Sequence, residues 1–395
     1  LKQNKAFLRI AAFFRGTALF FNIGAVLWLC LCMYTSYKDV ANSPSFFSFF
    51  SFTNIFAVWI NMFFVLFWLF TRRRYCSLIS LIALILCFSV TKSSFGYNLF
   101  SANAMDTEEV ELKIMTWNVH LFDLGEWTKN KESKSKIVDF IKQQDPDILC
   151  LQEYYFDNDN HNEPYTELLR QLGYNYYEFS KEEDLLKRSI NISAKPDEII
   201  QAGHAVFSKF PLSNKVRYAF DSANYYNMLG VDVKLNEHTA ARLNIVHLQS
   251  VTFSDKDVKF AEKRTDKLSA KIEDKTKGLL KKLMLASSKR AAQANVIDSV
   301  LDKSNLPNIV CGDFNDMPGS YVYQKVKGNL QDAFVAKGMG LGRTYRKIFP
   351  TLRIDYILFN ADILTCKGYL SPDVNLSDHN PVIATFSVKT NQVKK

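Results

Sequence analysis

Apolar residues follow two unlike patterns along this chain. Over residues 1–105 they gather into three long stretches, roughly Thr17–Tyr37, Phe49–Phe70 and Tyr75–Phe95. Each is close to the ~20 helical residues that cross a hydrocarbon layer of about 30 Å. The second contains Asn54 and Asn61 but no charge, and the third is richer in Ser, with Lys92 near its end. Trp28, Trp59 and Trp68 suit spanning helices. From Glu108 onward the apolar runs shorten. Strand-like runs lie at Leu112–Val119, Ile148–Gln152, His204–Ser208, Met228–Lys234, Arg242–Leu248, Asn308–Cys311, Ile354–Phe359 and Val382–Val388. Several are continuously apolar, as strands covered on both faces should be. Helical spacing occupies Ser133–Gln144, Tyr165–Leu172 and Arg290–Leu301. This alternation predicts one α/β domain over 106–395, with a sheet core and helices outside.

Composition changes this picture only when it is divided. Averaged over 395 residues, 48% apolar content suggests an ordinary soluble protein, yet residues 1–100 hold 18 of the 32 Phe. Charge is as uneven. Residues 1–105 carry nine Lys/Arg against Asp39 alone, so they account for +8 of the net +9. The basic excess sits beside hydrophobic segments and does not describe a nucleic-acid-binding domain. Lys2, Lys5, Arg9 and Arg15 precede the first stretch, and Arg72, Arg73 and Arg74 separate the second from the third. Positive charge remains on the cytoplasmic side. Three spans would therefore place residues 106–395 outside the cytoplasm, periplasmic or extracellular, on a plasma or inner membrane. If the third stretch is instead interfacial or re-entrant, the domain stays inside. Leu1 is not a Met, so the sequence need not begin where the protein does. Seven Cys form no CxxC pair and no zinc spacing, and Cys150, Cys311 and Cys366 imply no disulfide framework. Asp255–Arg290 holds twelve Lys/Arg and six Asp/Glu. It reads as a charged helical insertion, either a solvated face or a basic arm over the site or against anionic lipid.

Candidate chemistry lies where apolar strands stop. Asn118 follows Trp117; Gln152 and Glu153 follow Leu151; His247 follows Val246; Asp313 and Asn315 follow Cys311. Asp355 follows Ile354, and Asp378 and His379 precede Asn380-Pro381. Strand ends are where an α/β sheet builds its ligand crevice. Glu153 and Asp378 are hard oxygen ligands suited to Mg²⁺ or Mn²⁺. Asp313 beside His379 suits activation of water, with Asp355 holding the imidazole. Asn118 and Asn315 are neutral donors to a phosphate, and His247 is a donor to a non-bridging oxygen or a leaving group.

These motifs together resemble the endonuclease/exonuclease/phosphatase superfamily, over about Leu112–Val388. The likeness rests on Trp117-Asn118, Leu151-Gln152-Glu153, Val246-His247-Leu248, Gly312-Asp313-Phe314-Asn315, Arg353-Ile354-Asp355-Tyr356 and Ser377-Asp378-His379-x-Pro381. It implies a four-layer α-β-β-α sandwich of two mixed sheets, here preceded by about three transmembrane helices, and metal-dependent phosphoester hydrolysis. Carried over by position, Glu153 is the principal metal ligand, Asn118 orders metal and phosphate, and Asp378 is a second metal-side acid. Asp313 and Asn315 activate water and stabilise the transition state, while His379 with Asp355, and His247, complete the site. His204 lies at a variable position, His120 two residues after Asn118 takes no assigned role, and Arg290 and Gln293 resemble a structural Arg-x-x-Gln. The expected activity is that of a membrane-anchored Mg²⁺-dependent phosphodiesterase. Alternatives are a nuclease using the 255–290 arm, or a silent membrane-tethered binding module. Lipid headgroup, nucleic acid and small phosphoester all remain open as substrate.

Overall fold

The computed structural model describes residues 2–42, 46–98, 112–124, 132–157, 169–182, 185, 200–220, 226–251, 270–347 and 352–389. Helix α1 (Lys2–Tyr37) and helix α2 (Phe47–Leu69) contain apolar windows, Ala12–Tyr37 and Phe52–Leu69, long enough to cross a membrane. Much of their bulk faces outward: Phe13, Phe14, Phe20, Phe21, Phe56 and Phe63 are all more than half exposed. Exposed apolar surface on this scale marks a surface made for something other than water. Inside the bundle a polar chain crosses between helices. Trp68 donates to Asn22 (2.8 Å), Asn22 to Ser80, and Ser80 to Asn61 (2.8 Å), whose amide returns to the Ala25 and Ala57 carbonyls (both 2.9 Å). Such side chains hold apolar helices together where burial in lipid gives no driving force.

The third expected span is not one helix. Helix α3 (Ser77–Leu86) ends at Cys87, whose backbone leaves helical geometry (φ −91°, ψ 14°), and helix α4 (Phe88–Ser93) has only six residues. Among the described residues two helices, not three, are long and apolar enough to cross. The segment after the break carries polar side chains that turn back on it. The hydroxyls of Thr91 and Ser93 bond the carbonyls of Phe88 and Val90, three residues back, which competes with regular helix. The buried face of α4 (Val90, Thr91, Ser93) serves the rest of the protein instead.

Two six-stranded sheets follow. In chain order the strands are β1 (Gly96–Tyr97), β2 (Leu112–Asn118), β3 (Ile148–Asp157), β4 (Tyr176–Lys181), β5 (Ile200–Ser208), β6 (Leu212–Ala219), β7 (Asn227–Lys234), β8 (Ala240–His247), β9 (Asn308–Asp313), β10 (Gln331–Asp332), β11 (Met339–Gly340), β12 (Asp355–Phe359), β13 (Leu364–Leu370) and β14 (Val382–Val388). One sheet has the order β13-β14-β2-β3-β5-β4 and the other β10-β12-β9-β8-β7-β6. Each is antiparallel except for one central parallel pair, β2 with β3 and β8 with β9. Helix α5 (Ser133–Gln144) covers the first sheet; helices α6 (Ala270–Asp302) and α7 (Tyr321–Lys327) cover the second, and the short helix α8 (Ala333–Lys337) precedes β11.

This layering explains the continuous apolar runs. Ile114, Ile148, Ile309 and Cys311 point into the core between the sheets, whereas Met115, Trp117 and Leu149 pack toward α5, and Val310 and Val246 toward α6 and α7. Both faces are dry, so period-two alternation vanishes. Trp117, Phe314 and Tyr356 are buried core aromatics. The Arg290–Leu301 pattern is the rear of the 33-residue α6, which also contains the charged residues from 270 onward. The remainder of that charged segment, 255–269, and the start of Tyr165–Leu172 lie outside the described residues.

The bundle is bolted to the sandwich. Ser36 donates to the Gly319 carbonyl, Asn295 to Asp39 (3.1 Å) and Ser288 to the Ala41 carbonyl (3.3 Å). Val40 joins the core under α6 and α7, and β1 pairs with β11. Arg353, 1% exposed, reaches both sides: it donates to Asp332 (2.7 Å) and to the Ser93 carbonyl (2.6 Å), with its guanidinium over the Phe334 and Tyr356 rings. Arg353→Ala would leave the buried Asp332 carboxylate without the counter-charge 2.7 Å away, an expected loss of about 3–5 kcal/mol. Thermal unfolding of the detergent-solubilised chain should show it, and an unchanged melting temperature would refute this role for Arg353.

Candidate active site

Each sheet delivers the ends of its central strands to one edge. Asn118 lies opposite Gln152 across the β2–β3 pair. His247 lies opposite Asp313 across β8–β9, and Asp313 opposite Asp355 across β9–β12. Since β2 and β3 also pack against β8 and β9, the polar ends of both sheets converge. Gly312 permits this crowding: its φ is +137°, and a Cβ there would run into the Val246 carbonyl.

The centre is the Asp313 carboxylate. Its Oδ1 accepts from the Asn315 backbone (2.7 Å), and its Oδ2 accepts from the amides of Asn118 and Asn315 (both 3.2 Å). Two imidazoles aim at the same oxygen: Nε2 of His379 stands 3.7 Å away and Nε2 of His247 3.9 Å. Each ring is held from behind by a buried acid. Asp355 accepts from Nδ1 of His379 at 2.9 Å, and Glu182 from Nδ1 of His247 at 3.2 Å. Both Nδ1 atoms therefore carry protons and both Nε2 atoms face the site.

Charge follows geometry. Burial opposes a charged His379, but Asp355 and Asp313 outweigh it and push the imidazole up to about 10. Burial likewise opposes a charged His247, and Glu182, backed by Asp313 and Glu153, lifts it to about 9. Burial pushes the Asp313 carboxyl up to about 6, against the pull of the two imidazoles. A pair of imidazolium ions beside one acid is suited to receiving an anion.

Glu153 stands beside this centre on a distorted backbone. It has φ +49° within β3, where the register with β5 shifts between Leu151 and Tyr154. A bulge of this kind turns a side chain off the sheet's normal direction, at a cost a working site can tolerate. Oε1 meets the Asn118 amide (3.4 Å) and lies 3.8 Å from Nε2 of His247. Its buried Oε2 has no hydrogen-bond partner among the described residues. An orphaned carboxylate oxygen fits a cation ligand. Asp313, Asp355 and His379 also offer ligand atoms within 4.8 Å of one another, but Asp355 and His379 already spend theirs on each other. Glu153, with Asn118, is the better fit.

Asp378 lies apart from that pair. Its carboxylate meets Nδ1 of His120 (3.1 Å) and Nζ of Lys347 (2.9 Å). Burial would raise its pKa, yet His120, His379 and Lys347 hold it well below the usual carboxylate range. Asn315, at φ +50°, bonds the Leu248 carbonyl as well as Asp313. Arg290 and Gln293 brace the wall: Arg290 bonds Asp316 (2.9 Å) and the Gln249 carbonyl, and Gln293 accepts from the Gln249 backbone. The sequence reading misses Glu182, Tyr345 and Lys347. Glu182 binds His204 (3.1 Å) as well as His247, and Tyr345 packs edge-on to the His379 ring. Glu182 sits in the run Lys181-Glu182-Glu183, where nothing separates a buried acid from a surface one.

Comparison with known proteins bears on the family and the fold. Residues 115–379 match the endonuclease/exonuclease/phosphatase family, and residues 13–94 match a domain of unknown function (DUF8431). No curated protein matches the chain. Among solved structures, the human nocturnin catalytic domain is 19% identical, with 72% of this chain and 96% of that one covered and a TM-score of 0.50. An endonuclease/exonuclease/phosphatase from Beutenbergia cavernae is 20% identical, with 70% and 71% covered and a TM-score of 0.50. At such identities the likeness concerns the fold. The family match spans most of the chain, and on that ground this protein belongs to the endonuclease/exonuclease/phosphatase family.

Proposed function

We propose that the chain is a membrane-anchored, Mg²⁺-dependent phosphodiesterase whose catalytic domain faces away from the cytoplasm. One observation carries the chemistry: two carboxylate-backed imidazoles and two amides converge on the buried Asp313, next to the unbonded oxygen of Glu153. Asp313 is placed to take a proton from the attacking water. Nε2 of His379 and of His247 donate to the non-bridging phosphoryl oxygens, and one of them protonates the departing oxygen as its bond to phosphorus breaks. Asn118 and Asn315 orient the phosphate without adding charge. Glu153 and Asn118 would hold the divalent ion, which when bound polarises a phosphoryl oxygen.

The outward orientation is supported by where the domain docks. Its contacts with the bundle, through Ser36, Asp39 and Ser93, lie at the end remote from Arg72–Arg74. Positive charge favours the cytoplasmic side, which leaves the domain on the other. The nuclease reading lacks such support, because 106–395 is nearly neutral overall.

Turnover of bis(p-nitrophenyl) phosphate should require Mg²⁺ and stop on chelation. Glu153→Ala should abolish Mg²⁺ binding by calorimetry, and unchanged binding would remove Glu153 from the ligand set. His379→Ala should lower the rate by about 100- to 10,000-fold. A rate within the error of the unmodified protein would dismiss the mechanism.

The pH profile has a definite sign. Asp313 acts ionised, so the rate should fall as pH drops through about 6. His379 acts protonated, so the rate should also fall as pH rises toward about 10. Asp355→Asn removes the acid that holds the imidazolium proton and should move the alkaline limb to lower pH. An upward move would contradict the pairing.

A further inference from the structure

His204 is a fully buried histidine whose polar contacts run through one nitrogen. Its Nδ1 has no hydrogen-bond partner among the described residues. Its Nε2 stands 2.9 Å from the Asn227 carbonyl and 3.1 Å from Oε1 of Glu182. Both neighbours are acceptors, so Nε2 carries the ring proton and shares it between them. The same Glu182 oxygen takes the Nδ1 proton of His247 at 3.2 Å. One carboxylate oxygen therefore serves two imidazoles, whose rings lie 6.2 Å apart and nearly perpendicular.

Glu182 reaches this place across the gap between the sheets. It follows the last residue of β4 in the first sheet, whereas His247 ends β8 in the second. Its backbone is tied to β5, with the Glu182 N–H donating to the Ala202 carbonyl (2.8 Å). Gly203 makes this approach possible, because a Cβ there would collide with the Ser180 carbonyl and the Glu182 nitrogen. Asn227, the first residue of β7 in the second sheet, donates to the Lys181 carbonyl (3.0 Å) and accepts from the Ser180 hydroxyl (2.8 Å). The end of β4 is thus fixed from both sheets, and only the Glu182 side chain remains to be aimed. A glutamate has several torsions, and one hydrogen bond to His247 does not fix them all; the bond from His204 removes the remaining freedom. Burial would raise the Glu182 carboxyl, yet His247 and His204 hold it well below the usual carboxylate range. The acid behind His247 therefore stays an anion.

We propose that His204 is a positioning residue of this site: by holding Glu182 it fixes the direction in which Nε2 of His247 faces Asp313. This rests on the phosphoester hydrolysis proposed above and extends its machinery one residue further from the phosphate. His204 touches no reacting atom and moves no proton in the reaction. It supplies the pre-set angle of an imidazole that would otherwise turn with a loosely held acid.

The test compares the detergent-solubilised full chain with His204→Leu, which keeps bulk and loses the donor, and with His204→Gln, whose amide can reach the same acceptor. With bis(p-nitrophenyl) phosphate and Mg²⁺, His204→Leu should lower kcat by about 10- to 100-fold and leave KM within about twofold. His204→Gln should recover most of that loss. In a His247→Ala background, His204→Leu should change the residual rate no further. A full rate for His204→Leu, or the same fold-loss with and without His247, would overturn the inference. A readout independent of turnover is the Nδ1 resonance of His247 in histidine-labelled protein, identified by its disappearance in His247→Ala. It should move in His204→Leu and return in His204→Gln, and an unmoved resonance in His204→Leu would equally overturn the inference. Should His204→Leu not fold, His204→Asn, too short to reach Glu182, is expected to show the same two changes. An unmodified chain that turns over no ester would remove the hydrolase reading, and the resonance would still decide whether His204 aims His247.

Discussion

A carboxylate in a protein interior cannot be left without partners, and Asp313 is such a carboxylate. Its position at the end of a central strand removes it from water, so its anion depends on neighbours supplied by both sheets. Amide donors and two distant imidazoles moderate it without neutralising it. Each imidazole in turn needs its own acid, and this is why Asp355 and Glu182 are buried too. The polar edge is one electrostatic unit, in which removing any member leaves another charge uncompensated.

The sandwich provides the stiffness this unit requires. Parallel pairing of β2 with β3 and of β8 with β9 sets four strand ends at a common edge. Core side chains between the sheets fix their separation. Two of the left-handed residues, Glu153 and Asn315, lie at this edge. Neither residue could adopt its present direction on a regular strand.

Much of this was visible in the sequence, and the exceptions have physical causes. Doubly buried strands announced themselves, because Ile309-Val310-Cys311 and Leu149-Cys150-Leu151 must be apolar on both faces. The second-sheet edge strand β6 did not: Leu212–Ala219 is largely exposed and carries Ser, Asn, Lys and Arg like any loop. Residues at strand ends were legible because a polar side chain there interrupts an apolar run. Glu182 interrupts nothing, and its burial arises from the partners that tertiary structure brings to it. The third membrane stretch misled for a related reason. Hydropathy from Tyr75 to Phe95 counts apolar atoms, but Thr91 and Ser93 turn to the backbone, and the carbonyl of Ser93 is committed to Arg353.

That commitment has a consequence for how the molecule is assembled. The seam between bundle and sandwich is stitched by residues hundreds of positions apart, Gly96 with Gly340 and Ser93 with Arg353. Residues 340 and 353 must be made before these stitches can close, so the helical bundle completes its contacts only after most of the sandwich has been synthesised. Bundle and sandwich thus complete their shared seam together, and a substitution on one side of it meets a fixed partner on the other.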